Sequence, residues 1–289
     1  MMKKQIMWVY LVLTVIMLVL LGIFVPTTLL QEPNITPIAY LNEIPYWTLH
    51  IGQNSIIIIV PSSTIIVYLL GIEIIVLGVY FLKKRNHLPS FWWGISMVLW
   101  GIGTLLAGTS YQGLGYELKC DGQLFCLFTS WFELSYLYIT ALSISALAVA
   151  IAKSIIPIEK QKPILYYAFF SSITYSIVLL IGTIFKIRFL ISYELFTIFF
   201  MPLFLVFFIY SIFYYRQRKD GLNKSLIIAW ILFLIVNVAY YVYYFLGITE
   251  SVYQSIGFWF SANDVLHVTL MIWMAYIWVR VKPNIHRIS

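Results

Sequence analysis

Apolar residues fall in eight long runs, at about 7–30, 54–82, 90–109, 128–152, 164–185, 189–215, 225–246 and 261–279. Short polar stretches separate them. A helix needs ~20 apolar residues to cross hydrocarbon. The runs do not alternate polar with apolar as barrel strands do. The pattern predicts an all-α, polytopic integral membrane helical bundle of eight transmembrane helices: one leading helix, then a seven-helix core, in a single transmembrane domain over 1–289. The first run, Met7 to Val25, is longer than a signal-peptide core and has no small-residue cleavage site after it, so it reads as a retained span. The segment 31–53 holds Pro33, Pro37 and Pro45 beside Tyr46 and Trp47. It reads as an outer interfacial segment, because Trp and Tyr favour the membrane–water boundary. Residues 110–127 read as an outer loop carrying a cysteine pair.

Charge orients the bundle. Fifteen of the eighteen basic residues lie on one side of the spans: Lys3 and Lys4; Lys83, Lys84 and Arg85; Lys153, Lys160 and Lys162; Arg216, Arg218, Lys219 and Lys224; Arg280, Lys282 and Arg287. Only Lys119, Lys186 and Arg188 lie on the other. Basic loops stay in the cytoplasm, so both termini are expected there and the protein is expected in the cell membrane. With 62% hydrophobic and 10% charged residues, against about 25% charged in soluble domains, the chain leaves no room for a soluble catalytic domain. The net charge of +7 follows from the loop bias. The basic runs lack aromatic interleaving, so no nucleic-acid partner is expected.

Candidate chemistry lies where polarity costs energy. An ionisable group at mid-membrane costs ~2.5–3.5 kcal/mol on insertion scales and normally faces the bundle interior. At about 1.5 Å per residue, Glu73 lies about 15 Å from the inner face. Thr140, Asn237 and His267 share a layer about 20 Å deep. Asp264 lies about 24 Å and Glu133 about 30 Å from the same face. Asp264 and His267 are three residues apart and share a helix face. Asn237, Tyr240, Tyr241 and Tyr244 form one stripe, and Glu133, Tyr136, Thr140 and Ser143 another. If these stripes converge, they line a cavity in the outer half. The candidate ligand-binding residues are therefore Glu133, Thr140, Asn237, Tyr240, Asp264 and His267, with Glu73 as a proton or cation relay. The bland alternative is that these groups satisfy one another as interhelical contacts. Gly94, Gly101 and Gly108 recur every seven residues and read as a packing seam. Cys120 and Cys126, the two cysteines, face the oxidising side and are expected to form a disulfide.

These residues exclude some activities. No lysine precedes Lys282 in the last span, so no retinal Schiff base can form there. His267 is the one histidine at depth, too few for a bis-histidine haem, and no cofactor is expected. Three functions stay open. The first is binding of a small organic or cationic ligand for transport or sensing. The second is a non-catalytic structural or assembly subunit, bound to a partner of a membrane complex or to a second copy. The third is an intramembrane metal-dependent hydrolase using Asp264, His267 and Glu133, an oxygen-rich set that zinc binds less readily.

Overall fold

The computed structural model describes residues 12–24, 35–83 and 86–285. Seven of its helices are long and apolar enough to cross a membrane: α3 (Pro61–Leu82), α4 (Leu88–Gly113), α6 (Trp131–Ile155), α7 (Lys162–Phe185), α8 (Tyr193–Arg218), α9 (Gly221–Phe245) and α11 (Ala262–Ile285). A shorter apolar helix, α1 (Val12–Phe24), precedes them. The remainder of the expected first span, with Lys3 and Lys4, lies outside the described residues, as do Lys84, Arg85 and Arg287. Among the described residues, seven helices are therefore counted as candidate spans.

Six spans close a ring. Going round it, α3 packs on α4, α4 on α6, α6 on α8, α8 on α9, α9 on α11, and α11 returns to α3. Helix α7 lies outside the ring against α6. Helix α1 also leans on α6, where the Trp131 indole donates to the Leu18 carbonyl at 3.1 Å. Being enclosed by these neighbours, α6 is buried almost all round, and its sequence suits that place. Ala141, Ala146, Ala148, Ala150 and Ala152 are small, and the serines among them bond across helices. Ser143 donates to the Ser96 carbonyl at 2.8 Å, and Ser154 accepts from the Trp93 indole at 3.1 Å. The outer surface is the reverse. Ile65, Leu69, Ile72, Val76 and Val79 form an exposed stripe on α3, and Ile231, Leu234, Ile235, Val238 and Val242 one on α9. Such continuous apolar faces are stable only against lipid.

The α3–α4 contact is made backbone to backbone. Gly71 and Gly78 of α3 interlock with Gly94 and Gly101 of α4. A Cβ on Gly101 would stand 2.7 Å from the Gly71 carbonyl oxygen, and one on Gly94 would stand 2.9 Å from that of Gly78. The seven-residue glycine spacing read on α4 thus has a matching pair on α3. Without water to drive association, such close approach is what holds helices together in lipid.

The basic residues Lys153, Lys160, Lys162, Arg216, Arg218, Lys219 and Lys282 lie at one end of the helices, where Lys282 rests 3.6 Å from the centre of the Trp278 ring and 4.0 Å from that of Tyr80. The other end carries a cap. It comprises α2 (Pro37–Asn42), a hairpin of β1 (Tyr46–Ile51) and β2 (Asn54–Ile59), α5 (Gly115–Lys119) with the loop after it, and α10 (Ile248–Ile256). The strands pair antiparallel from Tyr46↔Ile59 to Ile51↔Asn54. Gly52 supplies the positive φ of 63° at the two-residue turn. Cap segments are tied together by backbone bonds: Cys126 N–H to Ile35 O at 2.8 Å, and Leu127 N–H to Lys119 O at 2.8 Å. The Ile57 N–H also reaches the Glu117 carboxylate at 2.7 Å.

The hairpin corrects one expectation. The second span starts at Pro61, not near residue 54, while the described fold is all-α with one small two-stranded sheet added. Four consecutive isoleucines at 56–59 are apolar enough for a span, and periodicity cannot separate a short buried strand from a helix. Their β-branching favours the strand, and Pro61 fits the first turn of a helix. Other boundaries shift by a few residues: α4 runs on through a wider π-type turn to Gly113, α9 starts at Gly221, and α11 reaches Ile285. The glycine seam carries a test. Gly101→Ala should lower stability by about 1–3 kcal/mol through overpacking, whereas Gly52→Asn in the cap turn should change it by under about 0.5 kcal/mol. Thermal denaturation of both variants in detergent checks this.

Candidate functional site

In the cap-side half of the ring lies a cavity of about 480 Å³. Its wall takes residues from all six ring helices: Leu70 from α3, Trp100 and Gln112 from α4, Thr140 from α6, Phe200 from α8, Asn237 from α9 and His267 from α11, among others. Five of the six residues singled out in the sequence, Glu133, Thr140, Asn237, Tyr240 and His267, line this one space. Their spans are brought together by the ring closure, which no single-helix pattern reveals.

Glu133 occupies the first turn of α6, whose N-terminus is capped by Ser130 accepting from the Glu133 N–H at 3.3 Å. Its carboxylate Oε1 accepts from Lys119 Nζ at 2.8 Å and from Ser110 Oγ at 3.1 Å. Both partners of the ion pair are buried, with side-chain exposures of 12% for Lys119 and 5% for Glu133. Lys119 arrives from the cap, at the end of α5 and next to Cys120. Cys120 is bonded to Cys126. Burial pulls the Lys119 ammonium down, but the Glu133 carboxylate, helped by Tyr40, outweighs it and holds the lysine above its usual range.

Asp264 is placed differently. It is fully buried at the start of α11, does not line the cavity, and serves a capping box with Ser261. Its Oδ2 accepts from the Ser261 N–H at 2.6 Å and from Ser63 Oγ of α3 at 2.7 Å. Three-residue spacing did put Asp264 and His267 on neighbouring turns. The carboxylate, however, folds back to the helix N-terminus, where unpaired N–H groups attract it, and His267 is not among its partners. Glu73 is half-buried on α3 and also stands outside the cavity lining, with Oε2 buried and unpartnered. It is one α-helical heptad from Tyr80, whose ring lies 4.7 Å from that of Trp278 on α11.

Four lining groups are orphaned. Gln112 Oε1, Thr140 Oγ1, Thr197 Oγ1 and His267 Nδ1 are buried without a hydrogen-bond partner among the described residues. Asn237 is satisfied in part, donating Nδ2 to the Phe233 carbonyl at 2.7 Å. Orphaned polar atoms are uncommon in folded proteins, and each calls for an explanation. A cluster around a void has a simple one: the partner comes from whatever enters.

Sequence reasoning missed Lys119 as a site residue, along with Gln112, Trp100 and Glu194 of the lining. Lys119 did carry a signal, since it breaks the charge bias by being basic on the cap side. No group of three or more His, Cys, Asp or Glu side chains among the described residues could hold a metal ion. The Asp264, His267 and Glu133 set considered for a hydrolase is divided between a helix cap, the cavity wall and an ion pair. Comparison with known protein families and with curated proteins finds no match for this chain.

The buried pair yields a test. Lys119→Met alone leaves Glu133 buried and unpaired and should cost about 3–5 kcal/mol, whereas Lys119→Met with Glu133→Gln should recover most of that. The lysine pKa is raised on folding, so its contribution is complete below about pH 10.4 and is lost as pH climbs through the higher folded value. Thermal melts in detergent from pH 8 to about pH 11.5 should show an alkaline loss of stability in the wild type that the double variant lacks.

Proposed function

We propose that this multi-pass membrane protein binds a small organic ligand in the ring cavity, as the recognition step of a transporter or a sensor. The observation that carries the reading is the coincidence of space and unmet polarity. About 480 Å³ lies within the usual range for small-molecule sites, and its wall holds four buried polar atoms without partners among the described residues. Aromatic rings, Trp100, Tyr136 and Phe233 among them, line the wall beside aliphatic residues such as Leu70 and Leu270. A bundle built only for packing would fill such a space with side chains.

In this reading the basic end faces the cytoplasm by the charge rule, so the cap faces outward and the two termini lie inside the cell membrane. The Cys120–Cys126 bond suits an oxidising exterior. The cavity lies in the cap-side half of the ring, which in this orientation is the half nearer the outside. Glu73, lower on α3, is the group best placed to carry a proton or cation onward. The metal-hydrolase reading lacks a ligand set, and no surface feature favours the assembly-subunit reading over this one.

Thr140 provides the test. If its hydroxyl is kept for a ligand, then Thr140→Val removes an unmet polar group and should raise stability by about 1 kcal/mol without ligand. Thermal unfolding of purified protein decides it. A loss of similar size would mean that the hydroxyl has a structural partner, which contradicts the reading.

A further inference from the structure

We propose that the cavity's ligand is a small organic cation, an amine or quaternary ammonium with an apolar body. This rests on the ligand-binding reading above and names the chemistry it would accept. The charge inventory of the wall comes first. Its ionisable members include the carboxylates of Glu133 and Glu194, and neither Lys nor Arg is among the described lining residues. Lys119 approaches Glu133 from the cap and engages Oε1, which Ser110 also reaches. Both of these bonds fall on Oε1, and Glu133 itself is part of the cavity wall. Arg188 lies at the rim, its guanidinium 5.0 Å from the centre of the Phe128 ring. An anion entering this space would meet carboxylates and the electron-rich faces of aromatic rings. A cation would find both favourable.

The roof already demonstrates the chemistry on one of the chain's own groups. The Lys119 ammonium sits 2.8 Å from a carboxylate oxygen and 5.5 Å from the centre of the Tyr111 ring. Tyr111 belongs to the cavity wall. A carboxylate with an aromatic face is the pairing by which proteins hold ammonium groups. Below it, Gln112 and Thr140, with 5% and 6% exposure, direct unpartnered oxygens into the same space and can accept N–H donors from an amine. Lys119 then acts as a positioning residue. By engaging Oε1 it anchors the Glu133 carboxylate at the cap end of the cavity wall.

The experiment compares two probes of one shape on the purified full-length chain in nanodiscs. Phenyltrimethylammonium carries a charge, and its carbon isostere tert-butylbenzene does not. Calorimetric titration should give saturable binding of the cation, at least about tenfold tighter than the isostere. Glu194→Gln, an exposed rim change that leaves the fold alone, should weaken cation binding about tenfold. The paired change Lys119→Met with Glu133→Gln should do the same while avoiding an unpaired buried charge. Equal binding of the two probes would overturn the cation assignment and leave a neutral-ligand cavity. No saturable cation binding, or cation binding indifferent to both carboxylate changes, would overturn it as well. The Thr140→Val stability result judges the underlying cavity reading separately.

Discussion

Hydrocarbon offers no hydrogen bonds, and the structure is organised by that one constraint. Every polar group within the bilayer must find a partner inside the protein or line a space where something else can supply one. The six-helix ring meets both conditions. Serines of α6 bond to α4 across the dry part of the bundle, and glycine seams let α3 and α4 touch without side chains between them. Much of the polarity that remains among the described residues is collected in the cap-side half around the cavity, while Glu73 Oε2 stays buried and unpartnered outside it. Outward faces of α3 and α9 carry mostly branched aliphatic residues, with tyrosines such as Tyr80 and Tyr244 toward the helix ends. The cavity gathers much of the polarity that these faces lack.

The cap extends this logic to the water boundary. It is short on apolar core and is held by specific links: the disulfide, the hairpin bond to Glu117, and the Lys119–Glu133 pair. The last of these has consequences in two places. It fastens α5 to the top of α6, and it anchors a carboxylate that belongs to the cavity wall. A buried ion pair contributes little net stability but is costly to break on one side. Such an interaction specifies geometry more than it adds free energy, which suits a position where cap and binding space meet.

Much of this was legible in the sequence, for identifiable reasons. Spans α3 to α11 follow from runs of apolar residues, because helix length in a bilayer is set by its thickness. Five cavity residues were found from depth and helical spacing, since a polar group at mid-membrane faces inward whatever the fold. The rest depended on neighbours. Asp264 matched every rule used for His267, yet its carboxylate caps its own helix and bonds to Ser63. Lys119 ends a cap helix of five residues, too short for spacing to reveal direction. The isoleucine run at 56–59 shows the limit of hydropathy, since it reads as a span and folds as a strand of the cap.

Labelling along α9 tests the inward sorting most directly. Both native cysteines are in the disulfide, so introduced thiols report alone. Asn237→Cys and Tyr240→Cys point to the cavity, while Leu234→Cys and Val238→Cys replace residues that are 60% and 52% exposed on the lipid face. A charged, membrane-impermeant maleimide added outside intact cells should label the first pair and spare the second. Labelling of 234 and 238 with protection of 237 and 240, or labelling of the first pair only from the cytoplasmic side, would contradict the account.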